Sequence, residues 1–548
     1  MRKAGQSAGR VLLMAAVVCV WSAQARAQQG DEANTFELRG KVVNAATGAG
    51  VGNALVQSIG TGQMQFSGAD GTFVFAGVPV GAYSFTVAKP GYFNGAQLGH
   101  PGVDGVERVP SDEELVLKMT PEGIIYGTAE NESGQPLEGM EVRAEAWRVI
   151  NGAKSLQTAG QGTTNDEGQF RIAELQPGTY YVKFLPKARG GTRVYSEIAK
   201  KRRDEEGMAP QFYPGVTDVG SATAVRIKGG AQVQIAQALK RQRLFEVTGA
   251  VRGGDLERGF QVMLMDPSGE ALQKDVHTDP KSGEFQIQGV PEGKYELVAT
   301  AADTGGVGPE GGRPPLAAMV PIELNRDING LVLMLGRGAS VDVHIEDEIP
   351  GEGQEIHQVQ LTMTSKGFLQ TSQGLIVPPA AGAVRGPTRF EGLAPGSYEV
   401  EAWSANVPKG YVASLHCGDV DLLRDDLTIA AGAAVPPIEV KLKNDGAELN
   451  IEIKSSDKTS VNTVVLYSMD YPKRSTVLGV QGEGKATVGN LRPGTYKVVA
   501  LQGGQEVEFR DASFIEKYVA PAPEVSLRAS DKASVEVEAQ QLGEESSQ

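Results

Sequence analysis

Five times along this 548-residue chain an alternating strand runs into a Pro/Gly turn, and each time a tyrosine opens the next alternating strand. The first copy is Phe73-Val74-Phe75, then Val78-Pro79-Val80-Gly81-Ala82-Tyr83-Ser84-Phe85-Thr86-Val87. The second is Phe170-Arg171-Ile172, then Leu175-Gln176-Pro177-Gly178-Thr179-Tyr180-Tyr181-Val182. The third joins Phe285 and Ile287 to Val290-Pro291-Glu292-Gly293-Lys294-Tyr295, the fourth Phe390 to Leu393-Ala394-Pro395-Gly396-Ser397-Tyr398, and the fifth Val488 to Leu491-Arg492-Pro493-Gly494-Thr495-Tyr496. The tyrosines stand 97, 115, 103 and 98 residues apart. A period of that length is a whole domain, so the chain is a repeated domain rather than one large fold.

Each part of the pattern has a physical task. Alternation with period two puts Phe73, Phe75, Phe85 and Val87 on one face of a sheet and the polar residues on the other. Proline presets φ for a turn, and glycine can take a positive φ that a branched residue resists. That assigns Gly81, Gly178, Gly293, Gly396 and Gly494 to turns. Tyr83, Tyr180, Tyr295, Tyr398 and Tyr496 then sit at strand starts, where the ring can be buried and the hydroxyl returned to nearby backbone, as in the tyrosine corner of immunoglobulin-like sandwiches. The expectation is an all-β protein, a tandem array of about five Ig-like/transthyretin-like antiparallel β-sandwich modules. Their expected bounds are 36–120, 121–244 (with an extended insertion at 187–230), 245–336, 337–445 and 446–541.

A second signal lies upstream. Thr47-Gly48-Ala49-Gly50-Val51-Gly52-Asn53-Ala54-Leu55-Val56 matches Ser133-Gly134-Gln135-Pro136-Leu137-Glu138-Gly139-Met140-Glu141-Val142, each a turn between an opening strand and the next. In this order of strands and turns the chain resembles the carboxypeptidase regulatory-like domain, best over 36–95 and 121–186 and more loosely in the later modules. The resemblance implies a transthyretin-like or prealbumin-like sandwich of about seven strands, also grouped with carbohydrate-binding-like folds. It implies little about activity, since such sandwiches host many roles. The near absence of a linker after Glu114–Met119 suggests a semi-rigid rod. Ala302 to Pro315 reads either as a linker or as a long loop inside the third module.

The termini and charge set the compartment. Arg2, Lys3 and Arg10 precede the apolar run Val11 to Val20, and Ala25-Arg26-Ala27 offers small residues where a signal peptidase reads. The run is shorter than the roughly 20 residues a bilayer needs, so 1–27 reads as a cleaved signal peptide. The mature protein is then periplasmic, extracellular or held at the cell surface, with no transmembrane segment. It keeps 48 basic and 67 acidic residues, and so acidic a surface argues against nucleic acid as a partner. Cys417 is its only cysteine, which excludes an intrachain disulfide.

Catalytic patterns are weak. Gly5-Gln6-Ser7-Ala8-Gly9 has the spelling of a nucleophile elbow but lies in the signal segment with no strand before it. A zinc peptidase needs two histidines and a carboxylate. His100, His277, His344, His357 and His416 are scattered over at least three modules, none with Glu three residues on. Surface or core histidines are the plainer reading, so no enzyme, cofactor or metal site is expected. The turns at Asp70-Gly71, Asn165 to Gly168 and Asp279 to Gly283 offer calcium only two or three oxygens each, and turn formation explains their composition equally well. Trp147 and Trp403 lie on the charged faces of their strands. An outward Trp either stacks on a sugar or a partner, or packs against a neighbouring module. The expected function is non-catalytic binding or scaffolding at the cell envelope, toward carbohydrate or another envelope protein. A ligand-free spacer rod and a peptidase-related hydrolase are the alternatives.

Overall fold

The computed structural model describes residues 35–541 except 80, 99–105, 109–113, 151, 187–192, 195–205, 268, 270, 273–274, 302–315, 348–357, 368–370, 378–388, 406, 431, 456–460 and 503–506. Short strands dominate, and they pair into sheets that stack two by two around separate hydrophobic cores. The multi-module all-β architecture read from the repeat is what the chain adopts. Two compact units are formed, one ending at Glu122 and the other running from Gly123.

In the first unit, strand Thr35–Asn44 pairs with Thr72–Pro79 and Leu115–Pro121 in one sheet, while Leu55–Ile59 lies between Met64–Phe66 and Gly81–Ala88 in the other. Phe73, Phe75, Phe85 and Val87 meet between the sheets, with Phe73 and Phe75 edge to face at 5.7 Å. The same plan recurs four times in the second unit.

One pairing is not antiparallel. In every module the opening strand runs parallel to the closing strand: Thr35–Asn44 with Leu115–Pro121, Gly123–Asn131 with Gln232–Leu239, Arg241–Arg252 with Ile328–Met334, Ala339–Asp347 with Ile438–Lys443, and Ala447–Lys454 with Lys532–Glu538. Each module is thus zipped shut by its own two ends.

The stretch 302–315 lies outside the described residues, but Gly293–Ala301 and Leu316–Leu324 on either side of it pair along their whole length. It therefore connects two strands of one hairpin rather than two modules. Within the insertion expected at 187–230, residues 195–205 lie outside the described residues. After them, Glu206–Met208 pairs with Arg241–Arg243, the start of the strand that opens the third module a few residues before the expected bound of 245, and Gln211–Phe212 and Val225–Ile227 pair with Gly178–Leu185 of the second.

The fifth module carries an addition the sequence reading lacked. Strand Val461–Ser468 is buried on both faces. Val464 and Leu466 enter the sandwich core. Val465 and Tyr467 point the other way, into a second cluster with Val507, Phe509, Phe514, Tyr518 and Val519. The segment supplying that cluster is a short helical turn started by Asp511, whose carboxylate accepts from the N–H groups of Ser513 and Phe514.

Candidate functional site

The tyrosines were placed by the repeat, and the described ones share one geometry. The hydroxyls of Tyr180, Tyr295, Tyr398 and Tyr496 each donate to the carbonyl four residues back, Gln176 at 2.6 Å, Pro291 at 3.1 Å, Ala394 at 2.7 Å and Arg492 at 2.7 Å. Each ring lies in a different core. The Tyr83 side chain lies outside the described residues. Burial raises the pKa of all four phenols, that of Tyr496 to about 12.

The turn glycines are not alike. Gly396 and Gly494 take positive φ, 155° and 159°, whereas Gly178 and Gly293 do not; Gly293 lies under its own tyrosine, where a Cβ would stand 3.1 Å from the Tyr295 hydroxyl. The left-handed residue comes three residues before the proline or one nearer to it, at Gly77, Glu174, Gly289, Gly392 and Asn490, with φ between 56° and 75°. At each the pairing with the opening strand slips, which is a β-bulge. The bulge turns the strand into the corner, and Pro-Gly only follows it.

The two tryptophans differ in exposure. Trp403 is 45% exposed on strand Gly396–Ala405, opposite Gln360, which in turn faces Ile376, itself 57% exposed. Trp147 is half-buried, with the Lys154 ammonium 5.7 Å from its ring centre. Lys154 also pairs with Glu508 of the fifth module at 3.2 Å.

Around these strands modules 2, 4 and 5 meet. The Phe509 ring packs on Gly152, where a Cβ would come within 2.5 Å of it, and the Arg510 N–H donates to the Gly152 carbonyl at 3.3 Å. Arg510 grips Glu399 of module 4 with both terminal nitrogens, at 3.1 and 3.4 Å. Arg474 donates to the carbonyls of Val400 and Leu422, and Arg492 to that of Val412. Lys366 and Lys473 both hold Asp426, at 2.8 and 2.6 Å. Burial alone would raise the Asp426 pKa, but those two hydrogen bonds outweigh it and hold the carboxyl below its usual value. A cleft of about 330 Å³ remains at this junction, bordered by Val149, Glu401, Lys473, Ser475, Phe509 and Arg510. Val149 lies two residues beyond Trp147, and Glu401 two before Trp403, so the outward faces of both Trp strands reach the same cleft. None of these cross-module pairs has a sequence signature, because their members are far apart in the chain, 111 residues for Arg510 and Glu399 and more than 300 for the contacts of module 5 with module 2.

Modules 2 and 3 are joined through Lys183, 7% exposed, which stands 3.6 Å from Glu145 and 3.9 Å from Asp266. A trough of about 460 Å³ crosses the outer face of module 3, floored by Thr248, Gly249 and Ala250 and flanked by His277, Gln286 and Val332.

Two histidines of module 4 do meet a carboxylate. His344, Glu439 and His416 stand side by side across three strands of module 4, with His344 Nδ1 3.0 Å from Glu439. This is an open row on a sheet rather than a pocket, and the His344 and Glu439 side chains are more than half exposed. His277 lies in module 3, and His100 and His357 lie outside the described residues. No group of three His, Cys, Asp or Glu able to hold a metal occurs among the described residues. In the acidic turns the side-chain oxygens serve their own loops. Asp70 accepts from Thr72, Asn165 from Glu167 and Gln169, and Asp279 from Lys281 and Ser282. Cys417 is buried, its thiol donating to the Pro436 carbonyl at 3.2 Å. No helix among the described residues is long and apolar enough to cross a membrane.

Fold and junction together define a protein of linked β-sandwich modules. Residues 37–106 match the carboxypeptidase regulatory-like domain. No curated protein matches the chain. Among solved structures it is similar to the TIE protein of Bacillus anthracis, at 10% identity over 96% of this chain and 78% of that one, with a TM-score of 0.16. It is also similar to the minor pilin GBS52 of Streptococcus agalactiae (16% identity, 38% and 96% coverage, TM-score 0.18). A third is the major pilin subunit of Bacillus cereus (11%, 55% and 99%, TM-score 0.14). A regulatory-like module within an all-β chain suggests a structural, non-catalytic, multi-domain protein.

Proposed function

We propose that this chain is an exported binding and scaffolding protein of the cell envelope, whose ligand is a carbohydrate held beside Trp403 at the junction of modules 2, 4 and 5. One observation carries the reading: the outward faces of the Trp147 and Trp403 strands lead into one cleft, with Trp403 still 45% exposed. A sugar presents an apolar ring face and a rim of hydroxyls. Trp403 matches the first by stacking, and Glu401, Ser475, Lys473 and Arg510 match the second by hydrogen bonding. Trp147, already covered by Lys154, plays the lesser part. Export rests on the charged, apolar and small-residue order of residues 1–27.

A glycan array probed with the purified protein tests this. Trp403→Ala should abolish the glycan signal with the melting temperature nearly unchanged, while Trp147→Ala weakens it only modestly. Undiminished glycan binding by Trp403→Ala, or no glycan signal from the parent protein, overturns the reading. The spacer-rod alternative is less favoured for residues from 123 on, since the fifth module reaches back to the second.

A further inference from the structure

In the first unit, strand Met64–Phe66 forms the edge of its sheet, beside Leu55–Ile59. Phe66 stands opposite Leu55 and Met64 opposite Gln57, so these side chains share the outer face. Met64 is 61% exposed, Phe66 60% and Ile59 on the neighbouring strand 51%. The Ser58 N–H donates to the Gln63 carbonyl and the Ser67 N–H to the Ala54 carbonyl, both at 2.9 Å. Bonded pairs alternate in an antiparallel ladder. By that register the N–H and C=O groups of Met64 and Phe66 point away from Leu55–Ile59, toward the open edge.

Charge patterning isolates the same face. From Val42 to Ala88 the sequence holds one charged residue, Asp70, although 52 basic and 67 acidic residues are spread over the whole chain. Asp70 is itself engaged with the N–H and hydroxyl of Thr72. Sheet edges in monomeric proteins are ordinarily blunted by lysine, proline, a bulge or a very short strand, and Met64–Phe66, at three residues, has only the last of these. Met64–Phe66 has no charge or proline, and its pairing with Leu55–Ile59 runs without a shift in register.

We propose that a second copy of this chain covers the edge, the two Met64–Phe66 strands pairing antiparallel about a two-fold axis. Their sheets then become continuous, and Met64, Phe66 and Ile59 of both copies leave water together. A two-fold contact uses the same patch twice, which suits an apolar, hydrogen-bonding edge with nothing to repel its own image. The excess of acidic over basic residues on each copy disfavours approach through a charged face, whereas Leu55–Ile59, Met64–Phe66 and Gly81–Ala88 carry no charge, so pairing at this edge brings no like charges together. Salt should therefore tighten the dimer by screening the rest of the surface, where a charge-matched partner would be released.

Sedimentation velocity on the full-length purified protein gives the test. The expected result is a monomer–dimer equilibrium with a dissociation constant on the order of micromolar, as for a small interface, tightening several-fold from about 20 to about 200 mM NaCl. Met64→Lys and Phe66→Lys should each weaken it at least tenfold with no change in melting temperature. Val116→Lys, at an exposed position on the other sheet, should leave it intact. A protein that stays monomeric throughout that range, a dimer indifferent to both lysines at the edge, or one broken equally by Val116→Lys overturns the proposal.

Discussion

At Glu174 the chain tolerates a backbone conformation that three of its four counterparts assign to glycine. Gly77, Gly289 and Gly392 take left-handed φ at no steric cost, and Asn490 is the non-glycine residue best suited to it. Glu174, at φ 56°, has neither advantage. Glu174→Gly should therefore stabilise the second module by roughly 0.5 kcal/mol, after allowing for the extra freedom glycine gives the unfolded chain. Glu174→Val should destabilise it by about 1–2 kcal/mol. Denaturant midpoints followed by tryptophan fluorescence would read both signs, and a Gly variant less stable than the parent would contradict the strain argument. The tyrosines allow a pH prediction. Burial raises the phenol pKa of Tyr180, Tyr295, Tyr398 and Tyr496 above the value near 10 of an unfolded chain, so the folded state holds these protons more tightly. Their stabilisation is complete below about pH 10 and is lost as pH climbs through the folded values, about 12 for Tyr496. The melting temperature should thus stay level to about pH 10 and then fall. Tyr496→Phe should lower it at neutral pH, by about 1 kcal/mol for one hydrogen bond, and soften the alkaline fall.

Strands and sheets were largely legible because period-two alternation and the spacing of Pro-Gly-x-Tyr are local signals with domain-length repetition. The bulges were not, since Gly77, Glu174, Gly289, Gly392 and Asn490 share a conformation without sharing a residue type. Only strand pairing exposes the slip. The doubly buried strand Val461–Ser468 did leave a trace in the unbroken run Val464-Val465-Leu466-Tyr467, which period-two amphipathicity does not explain. The contact between modules 4 and 5 left none, because Arg474, Arg492 and Arg510 resemble any surface arginine until their partners are placed. Burial lowers the pKa of Arg474 and Arg492, so both charges are held partly out of water by the carbonyls and carboxylates around them. Removing one partner of such a pair leaves the other stranded. Arg510→Ala leaves Glu399, whose side chain is 15% exposed, with Lys366 at 3.8 Å in its place. The expected loss is about 3 kcal/mol of coupling. In scanning calorimetry, modules 4 and 5 should melt separately in this variant and together in the parent; one merged transition in both would show that the arginine does not couple them.

A string of sandwiches with short connections suggests a rod, and for residues from 123 on the chain does something else. Module 5 uses the segment built around Phe509 to touch module 2, more than 300 residues earlier, while Arg510 beside it holds module 4. Sequence could not foretell this, since each module satisfies its own core and the contact depends on how three rigid bodies are turned. The arrangement makes the short segment after Val507 a latch. Its apolar side rests on the back of Val461–Ser468 through Phe514 and Tyr518, and Phe509 closes against a glycine with no room for a side chain. Gly152 has φ +75°, so Gly152→Leu strains its own turn and also pushes the Phe509 ring away. Phe509→Ser loosens the same contact from the other side without touching module 2. In hydrogen exchange, both variants should speed exchange in 507–519 and in the facing strands of module 2, with protection of Tyr411–Cys417 and the other interior strands of module 4 unchanged. If Phe509→Ser left exchange at Glu141–Ile150 as slow as in the parent protein, module 2 would be held by its own neighbours alone and the latch would have no part in closing the array.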